Sequence, residues 1–519
     1  MVVNSGYIEL NRDIHSVREE FGDWQTNMSL ALSVCRLLES RNINPQVIIE
    51  PTCGVGNFIM AALQVFDSVE DIYGIDIHKP YLDELRNRLL HNEIADGVGI
   101  HLYNEDIFEF DFREIKHLLA GRTVLVLGNP PWVTNSQLGG MRSGNVPHKH
   151  NFRKLKGMDA ITGKSNFDVA EYICREMMDL MLGENASLAL LLKNSVVKNI
   201  IYSQKDSPTP VADIYQYNID AAKEFGVSVA ASLLSLSAGT DCSRHCSVYD
   251  FYSGEKITEY GWLNDCFVSN IAEYQKCSDV DGVSSMIWWS GLKHDCAKVM
   301  ELTRENGIYR NGFGEMVDIE DDMLYPLLKS SDIKGYGISS VRKYVIVTQH
   351  SMSSSTDYIE QGYPKAFRYL SGHSDYMDGR SSRIYRGKPR FSIFGIGDYS
   401  FMPYKVVVSG LYKCPNFAVV GKIENKPVMV DDTCYLLGFD SLEYAEITRR
   451  VLNSEIVRTF LDSLIFLDAK RVINKDLLMR IDLLKALDKI PLSEFEGYDL
   501  DKYRDFLKSH IVPRQTTLF

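Results

Sequence analysis

At 519 residues the chain exceeds what one ordinary core organises, so two or three domains are expected. Its 45% hydrophobic and 24% charged residues exclude a disordered chain, no apolar run reaches the roughly 20 residues of a membrane helix, and the N-terminus MVVNSGYIELNRD lacks a signal peptide's basic-then-apolar order. A net charge of −13 excludes a uniformly basic nucleic-acid binder, though a local patch can carry the opposite sign, and ten cysteines without a spacing framework fit reduced thiols in a cytoplasm.

In chain order, QVIIEP (46–51) predicts a short buried strand and NFIMAALQVF (57–66) a helix. DIYGIDI (71–77) predicts a second strand, followed by the helical PYLDELRNRLLHN with its charges on one face. GIHLYNED (99–106) and TVLVLGN (123–129) read as two further strands, NFDVAEYICREMMDLML (166–182) as a long amphipathic helix and SLALLLKNS (187–195) as a wholly apolar strand. Apolar strands alternating with helices indicate a mainly parallel sheet covered on both faces, with ligands at the carboxyl ends of its strands. After about residue 250 the alternation fades into aromatic, Gly-punctuated segments such as IYRGKPRFSIFGIGDYSFMPYKVVVSGLY (384–412), closed by the helical LEYAEITRRVLNSEIVRTFLDSLIF (442–466). These predict a second, mixed α+β domain, and the boundary is drawn at 265/266. Polar loops are expected at 203–213 and 350–357.

Four motifs stand at predicted strand ends. In EPTCGVGNF (50–58) a strand ends in Glu50, and Gly54 and Gly56 make a turn into a helix. Glycine lets a ligand approach the backbone there, although a tight βα turn alone also accounts for the pair. The third glycine of a dinucleotide fingerprint is absent, with Ile59 in its place. In YGIDI, Asp76 can accept from a ribose diol or simply cap a helix, and in NEDIF, Asp106 can accept from an adenine amino group or serve a loop. Three acids at consecutive strand ends suit a nucleoside with a cationic tail better than a pyrophosphate. The fourth motif, Asn129-Pro130-Pro131-Trp132, breaks a buried strand with two prolines. An Asn oxygen and a proline-fixed carbonyl form two rigid acceptors beside a flat indole. Their complement is an exocyclic amine on a planar base.

The order EPTCGVGNF, YGIDI, NEDIF, NPPW resembles the class I S-adenosylmethionine-dependent amino-methyltransferases, and within them the γ-class DNA adenine-N6 methyltransferases. FGDWQTN (21–27) is similar to that family's first cofactor segment, with Thr26 carried over and Asn27 where the family usually has proline. KEFGVSVAASLLSL (223–236) resembles its late motif, in which Phe225 would border the target base. The resemblance covers residues 20–240. It implies a Rossmann-like catalytic domain (1–265) and a DNA target-recognition domain (266–519). By it, Glu50, Cys53, Gly54, Asn57 and Phe58 surround the methionine part of the cofactor, Asp76 and Ile77 take its ribose and an adenine face, and Asp106 and Ile107 its adenine edge. Asn129 and the Pro130 carbonyl would accept from the target amine, with Pro131 stiffening the turn and Trp132 stacking on the base. The partner implied is double-stranded DNA, in restriction–modification or phage defence, beside a separate restriction endonuclease. A nuclease in the same chain is not expected, because the cofactor motif begins by residue 21 and no nuclease motif follows.

Two basic segments support a DNA partner. Residues 139–166 hold six basic residues against Asp159, and 365–413 hold nine against three acids. Within the second, Arg383, Arg386, Lys388 and Arg390 are candidate DNA contacts, while Phe391, Phe394, Tyr399 and Phe401 read as strand core. Lys193 and Lys198 read as solvated loop residues. Cys242, His245 and Cys246 lack a second ligand pair at zinc spacing, so no metal is expected. Two other readings remain open: methylation of another planar amine (cytosine N4, an RNA adenine or a protein glutamine), or a catalytically silent DNA-binding module.

Overall fold

The computed structural model describes residues 25–90, 95, 97–133, 168–239, 242–467 and 471–510. The chain divides into two compact units, Met1–Ile271 and Ala272–Phe519. The basic stretch 139–166 and residues 21–24 of the FGDWQTN segment lie outside the described residues.

The first unit is built on a single ten-stranded sheet among the described residues. Its strands are β1 (Val47–Glu50), β2 (Asp71–Ile75), β3 (Gly99–Tyr103), β4 (Thr123–Gly128), β5 (Asn185–Lys193), β6 (Val211–Ile219), β7 (Ala231–Ala238), β8 (His245–Asp250), β9 (Lys256–Leu263) and β10 (Cys266–Val268). The helices are α1 (Met28–Ser40), α2 (Asn57–Val65), α3 (Lys79–Leu90), α4 (Arg113–Lys116), α5 (Val169–Met181), α6 (Asn194–Ser203) and α7 (Ala221–Phe225). Across the sheet the order is β10-β9-β8-β6-β7-β5-β4-β1-β2-β3. The run β5-β4-β1-β2-β3 is parallel throughout. Beyond β5 the sheet changes character: β7 is antiparallel to both β5 and β6, and β9 to both β8 and β10. Because β10 pairs with β9, this sheet carries the first unit past residue 265.

β1 is buried at all four positions and β4 at every position after Thr123, so neither shows the period-two alternation of a half-exposed strand. α1 starts at Asn27, whose Oδ1 accepts from the Leu30 amide at 2.8 Å, and it buries Leu30, Ala31, Val34, Cys35 and Leu38. α5 starts at Asp168 in the same way and buries one face, including Glu171. That acid is satisfied inside the fold by Arg175 and by the Asn199 amide at 3.0 Å.

The second unit holds two smaller sheets among its described residues. Their strands are β11 (Trp289–Ser290), β12 (Glu301–Glu305), β13 (Ile308–Arg310), β14 (Met316–Val317), β15 (Leu324–Leu328), β16 (Gly337–Ile338), β17 (Lys343–Ile346), β18 (Tyr404–Ser409), β19 (Ala418–Val420), β20 (Met429–Val430) and β21 (Cys434–Phe439). One sheet has the order β11-β21-β18-β19-β16 and the other β14-β13-β12-β17-β15-β20. Helices Leu442–Leu452 and Glu455–Asp462 occupy the stretch that reads as helical in the sequence.

Phe391, Phe394, Tyr399 and Phe401 do not form a strand, which corrects their reading as strand core. The chain from 386 to 397 is irregular, Asp398–Phe401 is one helical turn, and the strand begins only at Tyr404. The cause is close backbone packing: Gly395 has φ +66, and a Cβ there would stand 2.2 Å from the Gly291 carbonyl. Phe391 is buried with Ile393 and Ile396, and Phe401 packs on the same cluster. Tyr399 instead stacks on Trp289 at 4.3 Å.

Lys193 is also not a solvated loop residue. Its ammonium lies 2.6 Å from Asp168 with both side chains largely buried, while Lys198 lies within α6. His245 sits on β8 with Nε2 3.0 Å from the Trp262 carbonyl. Burial pushes the Cys246 thiol up to about 12. No helix among the described residues is long and apolar enough to cross a membrane.

Candidate functional site

The chain runs from β1 outward to β2 and β3 on one side, and β4 leads to β5 on the other. The order therefore reverses between β1 and β4, the point at which sheets of this kind bind ligands at their strands' carboxyl ends. Glu50 ends β1, and Asn129 follows the last residue of β4. The register Ile49↔Val126 makes the two strand ends neighbours.

Glu50 is 3% exposed, and its Oε2 has no hydrogen-bond partner among the described residues. Burial holds this carboxyl well above the usual carboxylate range, the charge of Asp76 adds to the rise, and a backbone hydrogen bond at Ile59 opposes it. The Cys53 thiol is raised by the same burial and by both acids. Between the acids runs the glycine turn. The Gly54 amide donates to Asp76 Oδ2 at 2.8 Å and the His78 amide to Asp76 Oδ1 at 2.7 Å. Gly54 has φ +52 and Gly56 has φ +75, the left-handed region that glycine enters without strain.

Gly56 also lies where a Cβ would stand 2.2 Å from Leu85 Cδ1 of α3. Gly56→Ala is therefore expected to destabilise the first unit by about 2–4 kcal/mol, adding backbone strain to overpacking. Urea unfolding followed through this unit measures it. A loss within about 0.5 kcal/mol of zero would show that α3 moves aside freely.

Thr26 and Asn57 meet across this turn: Asn57 Nδ2 donates to the Thr26 carbonyl at 2.7 Å, and Thr26 Oγ1 is buried without a partner among the described residues. Phe58 is buried in the core of α2. Ile77 is 44% exposed just beyond Asp76. Asp106 turns inward on its own loop, accepting from the Phe108 amide at 3.0 Å, and its carboxyl is raised by burial. Ile107 beside it is half-buried.

On the β4 side, Thr52 Oγ1 donates to the Asn129 carbonyl at 3.4 Å. Pro130 is buried and Pro131 half-buried. Trp132 Nε1 donates to the Leu191 carbonyl of β5 at 3.1 Å, and its ring meets Phe225 edge-on at 5.1 Å. The structure thus brings the late motif's aromatic to the NPPW indole. Immediately beyond, the Val169 amide donates to the Val133 carbonyl at 2.9 Å.

Three neighbours escape a motif-by-motif reading. Gln25 closes over the glycine turn, so that a Cβ on Gly54 would lie 2.6 Å from its Oε1. Asn104 Nδ2 donates to the carbonyls of both Asp76 and Ile77, at 3.1 and 2.9 Å. Glu224 accepts from Asn27 at 3.0 Å and from the Tyr252 hydroxyl at 2.9 Å, joining the segment before α1 to α7. Gln25, Asn104 and Glu224 all lie inside motif stretches, so the signal was their position within FGDWQTN, NEDIF and KEFG.

The basic candidates belong to the second unit. Arg383, Arg386 and Lys388 are exposed, and their side chains have no partner among the described residues. Arg390 is exposed but forked onto Asp378 at 2.5 Å. The site on the first unit can therefore hold a cationic nucleoside across β1–β3 and present two acceptors and an aromatic wall at β4.

No protein-family model matches the chain. It is 40% identical over 489 residues, 92% of this chain and 100% of the relative, to the type II methyltransferase M.NspV of a Nostoc species. Among solved structures it is similar to the type IIL restriction-modification enzyme MmeI in complex with DNA, at 12% identity and TM-score 0.48, covering 98% of this chain and 75% of that one. It is also similar to a type I restriction-modification methyltransferase subunit from Streptococcus thermophilus, at 14% identity and TM-score 0.31, covering 45% and 49%. Both structural likenesses are distant, and the weight rests on the Nostoc relative.

Proposed function

The chain belongs to the type II methyltransferases, DNA-modifying enzymes of restriction–modification that use S-adenosylmethionine, and on that premise we propose that it methylates N6 of an adenine swung out of a specific double-stranded sequence. The observation that carries this reading is Asn129-Pro130-Pro131-Trp132 standing at the carboxyl end of β4, across the sheet's reversal point from Glu50.

The residues present fit the cofactor. Glu50 keeps a buried oxygen without a partner among the described residues, facing a role that asks for a cation, and Gly54 puts no side chain of its own beside it, the turn being covered by Gln25. Thr26, Glu50, Cys53, Gly54, Asn57 and Phe58 hold the methionine end in this reading. Asp76 takes the ribose hydroxyls, exposed Ile77 covers an adenine face, and Asp106 with Ile107 meets the adenine edge. When bound, the cofactor supplies an electrophilic methyl carbon on a sulfonium.

The target amine is a poor nucleophile because its lone pair is delocalised into the ring. Asn129 Oδ1 and the Pro130 carbonyl accept its two hydrogens and favour the tetrahedral nitrogen of the transition state, a preorganised electrostatic effect. Pro130 and Pro131 lock their own φ, and Thr52 holds the Asn129 carbonyl, so the acceptors need little rearrangement. Trp132 offers a ring face to the base and Phe225 borders it. Alignment of amine and methyl supplies much of the remaining rate, against a flipping cost of about a few kcal/mol.

The second unit serves as the target-recognition domain. Arg383, Arg386 and Lys388 contact phosphates or bases there. Arg390 contributes only by leaving Asp378. A separate endonuclease that cuts the same sequence unmodified completes the system.

The test incubates the protein with methyl-labelled S-adenosylmethionine and unmethylated bacterial genomic DNA, then separates nucleosides. Label in N6-methyladenine is the expected result. Label in N4-methylcytosine would keep the two-acceptor chemistry and overturn the base assignment. Cofactor binding with no label in any nucleoside would overturn the catalytic reading.

A further inference from the structure

The nine basic residues of 365–413, a surplus of six over the acids, include one arginine that behaves unlike the other arginines. Arg380 is half-buried and spends its donors on backbone carbonyls: Nε on Met377 at 2.7 Å, Nη1 on Ser392 at 2.7 Å and on His294 at 3.4 Å, and Nη2 on Arg390 at 2.9 Å. Its guanidinium lies 3.7 Å over the Tyr385 ring. No carboxylate hydrogen-bonds to it among the described residues. Burial lowers its pKa from the ordinary arginine value, yet five donors in a rigid fork keep it well served.

These contacts surround a single loop. Met377 lies on its entry side, Arg390 and Ser392 on its exit side, and Tyr385 at its middle. The exit is fastened to the core: Thr348 Oγ1 donates to the Phe391 carbonyl at 2.6 Å, the Ile393 amide donates to Gln349 at 2.8 Å, and Phe394 and Lys293 exchange backbone hydrogen bonds. Between entry and exit the backbone turns twice, with Arg386 N–H on Arg383 O and Lys388 N–H on Tyr385 O, both at 3.2 Å, and Gly387 at φ +70. Arg383, Arg386 and Lys388 project from these turns. The fold therefore holds three exposed cations on a loop that lacks a strand ladder of its own.

We infer that Arg380 is the positioning residue of a DNA-gripping loop: its guanidinium ties the two ends and the middle of residues 377–392 together, so that Arg383, Arg386 and Lys388 meet DNA already ordered. This deepens the proposed function and rests on its assignment of those three cations to DNA. Ordering the loop before binding removes the entropy that a floppy basic loop would lose on the duplex.

The salt dependence of DNA affinity separates this role from that of a simple phosphate contact. Each phosphate contact contributes about 0.9 to the slope of log K against log salt. Arg383→Ala, Arg386→Ala and Lys388→Ala are each expected to flatten the slope by about one contact. Arg380→Lys keeps the formal charge but cannot reach four carbonyls from one nitrogen. It is expected to flatten the slope by about two contacts or more and to raise KM for DNA. Its kcat at saturating DNA and its affinity for S-adenosylmethionine should stay unchanged. Tyr385→Leu, a milder change beneath the guanidinium, should move the slope in the same direction. An Arg380→Lys protein with the native slope would overturn the inference, while loss of slope in the triple Arg383/Arg386/Lys388 variant would show that the DNA reading itself survives. A native slope in the triple variant would overturn both.

Discussion

Asn129→Ala is expected to lower kcat by roughly 10²–10³ while leaving the affinity for S-adenosylmethionine within about twofold, by analogy with removal of one preorganised polar group from an acyl-transfer site. The asymmetry follows from the sheet. Asn129 follows β4, whereas the proposed cofactor contacts Glu50, Gly54 and Asp76 come from β1 and β2. Alanine leaves both prolines and the Thr52 contact to the residue 129 carbonyl in place, so the backbone acceptor at Pro130 survives and the side-chain acceptor alone is lost. Single-turnover methylation of a defined duplex, with cofactor binding measured separately, gives both numbers. A kcat within a fewfold of the native enzyme would remove Asn129 from the chemistry.

Glu50→Gln is expected to do two opposite things: to stabilise the protein without cofactor at alkaline pH, and to weaken cofactor binding roughly tenfold to a hundredfold. The second figure corresponds to losing a charged hydrogen bond of about 1.5–3 kcal/mol. The first comes from burial. Glu50 is enclosed beside Asp76 with one oxygen unserved among the described residues, so its folded pKa lies above its unfolded value. A group shifted in that direction contributes stability that is fully present below its unfolded pKa and is lost as pH rises through the folded one. Glutamine keeps the shape and never ionises, so the Tm difference between variant and native protein should grow with pH across that window. A cationic cofactor favours the carboxylate and lowers its pKa, so binding in the window should release a proton to buffer. Thermal melts from pH 5 to 9, with and without S-adenosylmethionine, read all of this. A Tm difference independent of pH would show that Glu50 is not held protonated.

Much of the candidate site was legible because its residues sit at punctuation marks. A strand that ends in an acid and a glycine pair, or in two prolines, announces itself locally. Glu50, Asp76 and Asn129 could therefore be picked out, and the structure sets the first and last across the reversal point of one sheet. The aromatic segment 391–401 misled for the converse reason. Alternate spacing suggests a strand, but Gly395 needs a backbone conformation and a close approach to Gly291 that end any ladder. Lys193 looked like a loop cation because nothing nearby in sequence reveals Asp168, 25 residues earlier, as its partner.

The sequence by itself determined the parallel half of the first unit, the motif at each strand end and the basic character of the 365–413 segment, since hydrophobic period, turn chemistry and charge act over a few residues. Only the tertiary structure decided that β7 inserts antiparallel between β5 and β6, that Asn27 meets Glu224 across 197 residues, and that Arg380 faces inward while Arg383 and Arg386 face out. Those outcomes depend on which surfaces are buried against each other. A buried guanidinium must find carbonyls wherever the fold supplies them, and no local pattern in the chain encodes where that will be.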